Sequence, residues 1–212
     1  MPYCEVMATR TYYEVSGPEG ATPMIMIHGA AQDTLSWRFN APHFSRKYRV
    51  YVIDLPGHGK SAKLGGRPVS RTETYAEFVW AFMAVLGITR PIVVGHSLSG
   101  GLVLLLGVQG SDKLRAIVPV DGAAETGKVF HSDIFDVASI EPHTWTELSF
   151  RALCSRFTPP ERVAEMVQDP QRCQPDVVYE DLRCYTTLHV RGRLDDIRCP
   201  VLFIQGADVK RR

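Results

Sequence analysis

The sequence predicts an α/β fold, a mostly parallel sheet with helices on both faces. Short continuous apolar runs at residues 24–27, 49–55 and 91–94 have the character of strands buried on both sides. Between two of them, residues 72–86 carry apolar side chains at helical spacing. With 212 residues, 45% of them hydrophobic, the chain has the material for one large core. Strands alternating with helices in this way imply parallel pairing through crossover connections.

Taken in order, residues 9–15 read as a first strand leading into the turn Gly17-Pro18-Glu19-Gly20. The run at 24–27 ends in His28-Gly29-Ala30-Ala31, and the run at 49–55 (RVYVIDL) ends in Pro56-Gly57-His58-Gly59-Lys60-Ser61. In the helix over 72–86, Tyr75, Phe78, Val79, Phe82, Met83 and Leu86 share one stripe, and Gly87 follows as a C-cap. A buried strand at 91–94 precedes an apolar helix that runs to 106, and 114–120 reads as a further strand. The rhythm then breaks. Residues 124–194 are more polar, and Pro142, Pro159, Pro160, Pro170 and Pro175 punctuate three expected helices. A fifth buried strand at 200–204 resumes the alternation, and Gly206-Ala207-Asp208 begins its exit loop. The chain therefore divides into a core over 1–123, a helical insertion over 124–194 and a resumed core over 195–212.

Lys plus Arg total 24 against 23 for Asp plus Glu, so the net charge of +1 gives no reason to expect nucleic acid or an anionic membrane as partner. The five cysteines are odd in number, scattered and never spaced C-x-x-C, which suits a reduced, cytoplasmic chain with no zinc framework. The N-terminus lacks the basic and apolar regions of a signal peptide. Residues 91–108 are apolar over nearly membrane length, but His96, Ser97, Ser99 and several glycines fit a buried strand turning into a buried helix. No metal or organic cofactor is expected.

Residues 93–101 read VVGHSLSGG. A serine between small residues, directly after a buried strand and before a helix, marks a very tight strand-to-helix turn with strained φ/ψ. The positions two residues either side must be small because the two backbones nearly touch, and Gly95 and Ser99 satisfy this. Such a turn lifts the Ser97 hydroxyl clear of the sheet, beside helix N-terminal amides that can meet a developing oxyanion.

The chain resembles the α/β-hydrolase superfamily in its cap-bearing, esterase-like branch. The resemblance rests on His28-Gly29, on DLPGHGKS at 54–61, on the serine turn and on PVLFIQG at 200–206, in that order. It implies that Ser97 is the nucleophile and that the amides of Ala30 and Leu98 form the oxyanion hole. It also implies that 124–194 is a cap shaping the pocket of a small-molecule substrate, an ester, lactone or related acyl compound. Trp37 and Trp145 are candidate pocket walls. His28, His58 and Asp54 read as loop-holding residues, and His96, adjacent to the nucleophile, diverges from it. A serine nucleophile argues against the alkyl-enzyme chemistry of haloalkane dehalogenases and epoxide hydrolases, which use a carboxylate.

A serine needs a base, and the base needs an acid to orient it. By resemblance the acid lies after the strand at 200–204, which makes Asp208 the candidate, although family members commonly place it one residue later. Asp121 is the alternative. The base should be a histidine following the acid, yet all seven histidines precede Asp208 and the last is His189. The expectation is therefore a C-terminally truncated serine hydrolase lacking its last strand, helix and histidine, with a catalytically dead binding or vestigial protein as the alternative.

Overall fold

The computed structural model describes residues 2–126 and 141–207. Six strands form one sheet in the order β1-β2-β4-β3-β5-β6. They are β1 (Tyr3–Val6), β2 (Thr9–Ser16), β3 (Pro23–Ile27), β4 (Arg49–Ile53), β5 (Ile92–His96) and β6 (Ala116–Val120). β1 and β2 enter as an antiparallel edge, and β2 pairs antiparallel with β4. The β4-β3-β5-β6 ladder is parallel, with Met26 opposite Val52 on one side and Val94 on the other. The expected mostly parallel sheet is thus observed, and β1 is an addition to it. The apolar runs read in the sequence became strands because a strand covered on both faces tolerates side chains of only one kind.

The two faces divide by the strand period of two. Ile25, Ile27, Ile53 and Val93 point to the larger core, where α2 (Thr72–Val85) and α3 (Leu98–Gly110) pack. Tyr75, Phe78, Val79 and Phe82 of α2 are wholly buried there, which is the stripe expected from spacing. Met24, Met26, Val50, Val52 and Val94 point the other way, against Trp37 and the short α1 (Ala41–Phe44). Gly87 takes φ +63°, as a helix C-cap of this kind requires.

Three further helices, α4 (Pro142–Leu153), α5 (Pro160–Gln168) and α6 (Pro175–Thr187), follow the core. They attach to the loops leaving the C-terminal ends of the parallel strands. Arg172 pairs with Asp33 at 2.9 Å, Arg38 with Glu165 at 2.9 Å and Lys63 with Asp176 at 2.6 Å. The expected strand at 200–204 is only partly realised: Val201 and Ile204 bridge in parallel to Ile117 and Val120 of β6. It is not buried. Leu202 and Phe203 are each 60% exposed, because no described element covers that end of the sheet.

Candidate active site

The strand-to-helix turn has the geometry its sequence requires. Ser97 follows β5 directly and is the N-cap of α3, with φ 54° and ψ −114°, a conformation that few L-residues adopt. A Cβ added at Gly95 would lie 2.0 Å from the carbonyl oxygen of Ser99, so only glycine permits this approach. On the far side of the turn, a Cβ at Gly100 would meet the Cα of Gly122 at 2.6 Å. Strand β5 and helix α3 are therefore locked together, and Ser97 is held at the point where they meet.

The loop after β3 lies beside this turn. The Gly29 amide donates to Gln32 Oε1 at 3.0 Å, and the same oxygen accepts from His96 Nδ1 at 3.1 Å. That bond fixes the His96 proton on Nδ1, and burial lowers the pKa of the ring, so His96 is a neutral brace between turn and loop. Asp54 caps its own loop and its neighbour, accepting from the Thr34 amide at 2.7 Å and the Lys60 amide at 2.9 Å. His28 Nδ1 donates to Gly29 O at 2.8 Å and Nε2 accepts from the Leu55 amide at 3.0 Å. Burial holds that ring neutral, with its pKa lowered to about 3. These three residues are scaffold for the site.

Sequence reasoning missed two residues, both on α6. Asp181 is fully buried and accepts three hydrogen bonds, from the Ala31 amide at 2.8 Å, His58 Nε2 at 2.8 Å and the Tyr75 hydroxyl at 2.7 Å. His58 faces acceptors at both nitrogens, since Nδ1 lies 3.2 Å from Pro56 O. Burial alone would lower its pKa, but the Asp181 carboxylate holds it raised. Burial alone would raise that of Asp181, and His58 holds it lowered. The two form a buried ion pair beside Ala31, itself at φ +57°. One turn further along α6, the Tyr185 hydroxyl shares a hydrogen bond with Ser97 Oγ, and burial raises the pKa of that phenol. A signal for Asp181 existed: it interrupts the apolar stripe Val177, Val178, Leu182, Cys184 that α6 buries.

The remaining candidates are placed as follows. Leu98 is buried at the first turn of α3, and Ala30 packs against the larger core. Asp121, also at positive φ (47°), accepts from the Gly206 amide at 2.8 Å and from Gln205 Nε2 at 3.0 Å, tying β6 to the loop after Ile204. Asp208 lies outside the described residues. Trp37 sits in the smaller core, away from solvent, and Trp145 is half-buried on α4. Among the described histidines, only His96 neighbours Ser97 in sequence, and its ring is engaged by Gln32. Among the described residues no group of three or more His, Cys, Asp or Glu side chains could hold a metal ion. No helix among them is long and apolar enough to cross a membrane.

The profile of the α/β hydrolase fold family matches residues 22–170, which span β3, the serine turn and α4 to α5. The chain belongs to the α/β-hydrolase fold family. Over 138 residues it is 31% identical to an uncharacterized carboxylesterase of Bacillus subtilis, covering 64% of this chain and 45% of that one. Over 119 residues it is 34% identical to the dihydrolipoyllysine-residue acetyltransferase component of the acetoin cleaving system of Cupriavidus necator, covering 56% of this chain and 31% of that one. The chain thus spans less than half the length of these curated relatives. Among solved structures, the enol-lactonase from Burkholderia xenovorans LB400 superposes with a TM-score of 0.88 at 20% identity, over 97% of this chain and 81% of that one. A thermophilic esterase from Thermogutta terrifontis gives 0.86 at 19% identity, over 97% and 80%. At these identities the α/β-hydrolase structures speak to the fold alone.

Proposed function

We propose that this α/β-hydrolase chain carries the acyl-transfer half of a serine hydrolase, acting on an ester, lactone or related acyl bond of a small molecule. The observation that supports this most is the conformation of Ser97, held at φ 54° between β5 and the N-terminus of α3. In this reading Ser97 Oγ attacks the acyl carbon and gives up its proton. The amides of Leu98 and Ala30 take the charge that develops on the carbonyl oxygen. The alcohol leaves with a proton, and water then releases the acid from the acyl-serine. The carboxylesterase and lactonase relatives favour the same bond class.

The acid of the triad is Asp208 or Asp121 in this proposal, and none of the described histidines is assigned as the base. The helical segment over 124–194 serves as the cap, between core segments 1–123 and 195–212, and Trp145 is the remaining candidate for a wall of the pocket. The five cysteines, all free thiols, suit a reducing cytoplasm.

Chemical rescue tests this reading. Turnover of p-nitrophenyl butyrate by the chain should be near background alone and should rise with added imidazole, which can take the place of the absent base. The rise should vanish in Ser97→Ala. Rates that imidazole raises equally with and without the Ser97 hydroxyl would leave the alternative, a catalytically dead binding protein.

A further inference from the structure

Ser97 Oγ has a hydrogen-bond partner of its own, and that partner is a phenol. It shares a hydrogen bond with the Tyr185 hydroxyl in which either oxygen can be the donor. Both residues are half-buried, so a small acyl compound is not shut out from the pair. The phenol is carried on a fixed backbone. Asp181, one turn earlier on the same face of α6, is fully buried in its three hydrogen bonds. The Cys184 carbonyl accepts from Thr72 Oγ1 at 3.1 Å, and the Tyr185 carbonyl accepts from Thr126 Oγ1. Three residues on, Leu188 packs so closely on α3 that a Cβ at Gly101 would lie 2.1 Å from it. The Tyr185 hydroxyl therefore meets Ser97 from a rigid element, as a group acting on a reacting atom requires.

We propose that Tyr185 is a catalytic residue that relays a proton during acylation, taking one from Ser97 Oγ and giving its own to the departing alcohol oxygen. The proposal rests on the reading of Ser97 as nucleophile. As Ser97 Oγ bonds to the acyl carbon, its proton passes along the existing hydrogen bond to the Tyr185 oxygen. In the same step the bond from the acyl carbon to the alcohol oxygen breaks. Its electron pair stays on that oxygen, and the phenol proton joins it. Tyr185 ends as the neutral phenol it began as, now carrying the serine proton, and no further reactant is consumed. Burial raises the pKa of the phenol, so no phenolate base stands ready. Its oxygen takes one proton only as it gives up the other. A neutral phenol is a weaker acceptor than an imidazole, so acylation by this route is slow and added imidazole still accelerates it.

Two measurements on the full chain test the relay, both reading by intact-mass spectrometry how fast a butyryl group appears. The first uses the unaltered chain with phenyl butyrate in mixtures of light and heavy water. Two protons moving together make the rate fall along a bowed curve as the deuterium fraction rises. A straight line, the mark of one proton, overturns the relay. The second compares two leaving groups in Tyr185→Phe, which keeps the ring and removes the hydroxyl. Phenolate gains more from a proton than p-nitrophenolate does. Acylation of the variant should therefore be slower by about 100-fold with phenyl butyrate but only about 10-fold with p-nitrophenyl butyrate, the scale of positioned proton transfer. Equal losses with the two esters, or none, overturn the relay, and the nucleophile assignment stands if the adduct is missing from Ser97→Ala. An adduct that forms equally on Ser97→Ala, or on none of the proteins, overturns the reading of Ser97 and the relay with it.

Discussion

At the scale of single residues, the site depends on a few atoms with no room for substitution. Gly95→Ala would drive a methyl group to 2.0 Å from a backbone carbonyl, and neither β5 nor α3 can retreat from a closely packed core. Overpacking of this kind costs roughly 1–3 kcal/mol, so urea unfolding should show a loss in that range, together with loss of any Ser97-dependent reaction. Asp181→Asn should cost more, about 3–5 kcal/mol, because it strands a buried imidazolium. The stability difference between wild type and Asp181→Asn depends on pH with a defined sign. His58, raised by its partner, contributes stability that is full below its ordinary pKa and fades as pH rises through the raised one. Asp181, lowered by His58, contributes stability that is present above its ordinary pKa and fades as pH falls through the lowered one. The difference should therefore be greatest between about pH 4 and about pH 6.5 and shrink on either side. A difference independent of pH, measured by denaturation across that range, would show that the two groups are not an ion pair.

At the scale of elements, legibility in the sequence followed burial. The parallel strands β3, β4 and β5 were readable because both their faces are covered, which leaves an unbroken apolar run. β1 was not: Tyr3-Cys4-Glu5-Val6 mixes apolar and charged residues, since an edge strand has one face to solvent. The serine turn was readable because close backbone approach demands small residues at fixed offsets. Asp181 and Tyr185 were not, since their partners lie 88 to 150 residues away in the chain and an acid on a helix ordinarily reads as a solvated charge. The strand at 200–204 shows the converse, an apolar run that reads as buried yet is exposed where it is described. The attachment of α4 to α6 is a further case where position decides magnitude. Arg172 is 42% exposed in its pair with Asp33, so Arg172→Ala should cost less than about 1 kcal/mol. That is well below the cost at Asp181, although both bonds join the same segment to the same loop. Thermal unfolding of the two variants side by side checks this order.

At the scale of the whole molecule, one surface and one reaction remain. Val201, Leu202, Phe203 and Ile204 are 37–60% exposed in a row along a sheet edge. Contiguous apolar surface at an unprotected edge favours association. Leu202→Gln with Phe203→Ser should lower concentration-dependent association in sedimentation velocity while changing stability by no more than about 0.5 kcal/mol. The central claim, that Ser97 is an acyl-accepting nucleophile, is tested most directly by intact-mass spectrometry after incubation with p-nitrophenyl butyrate. If no histidine acts as base beside Ser97, the acyl group is released slowly, so one butyryl group should accumulate, map to the peptide carrying Ser97 and be missing from Ser97→Ala. An adduct on another residue, or an equal adduct on Ser97→Ala, would contradict the claim.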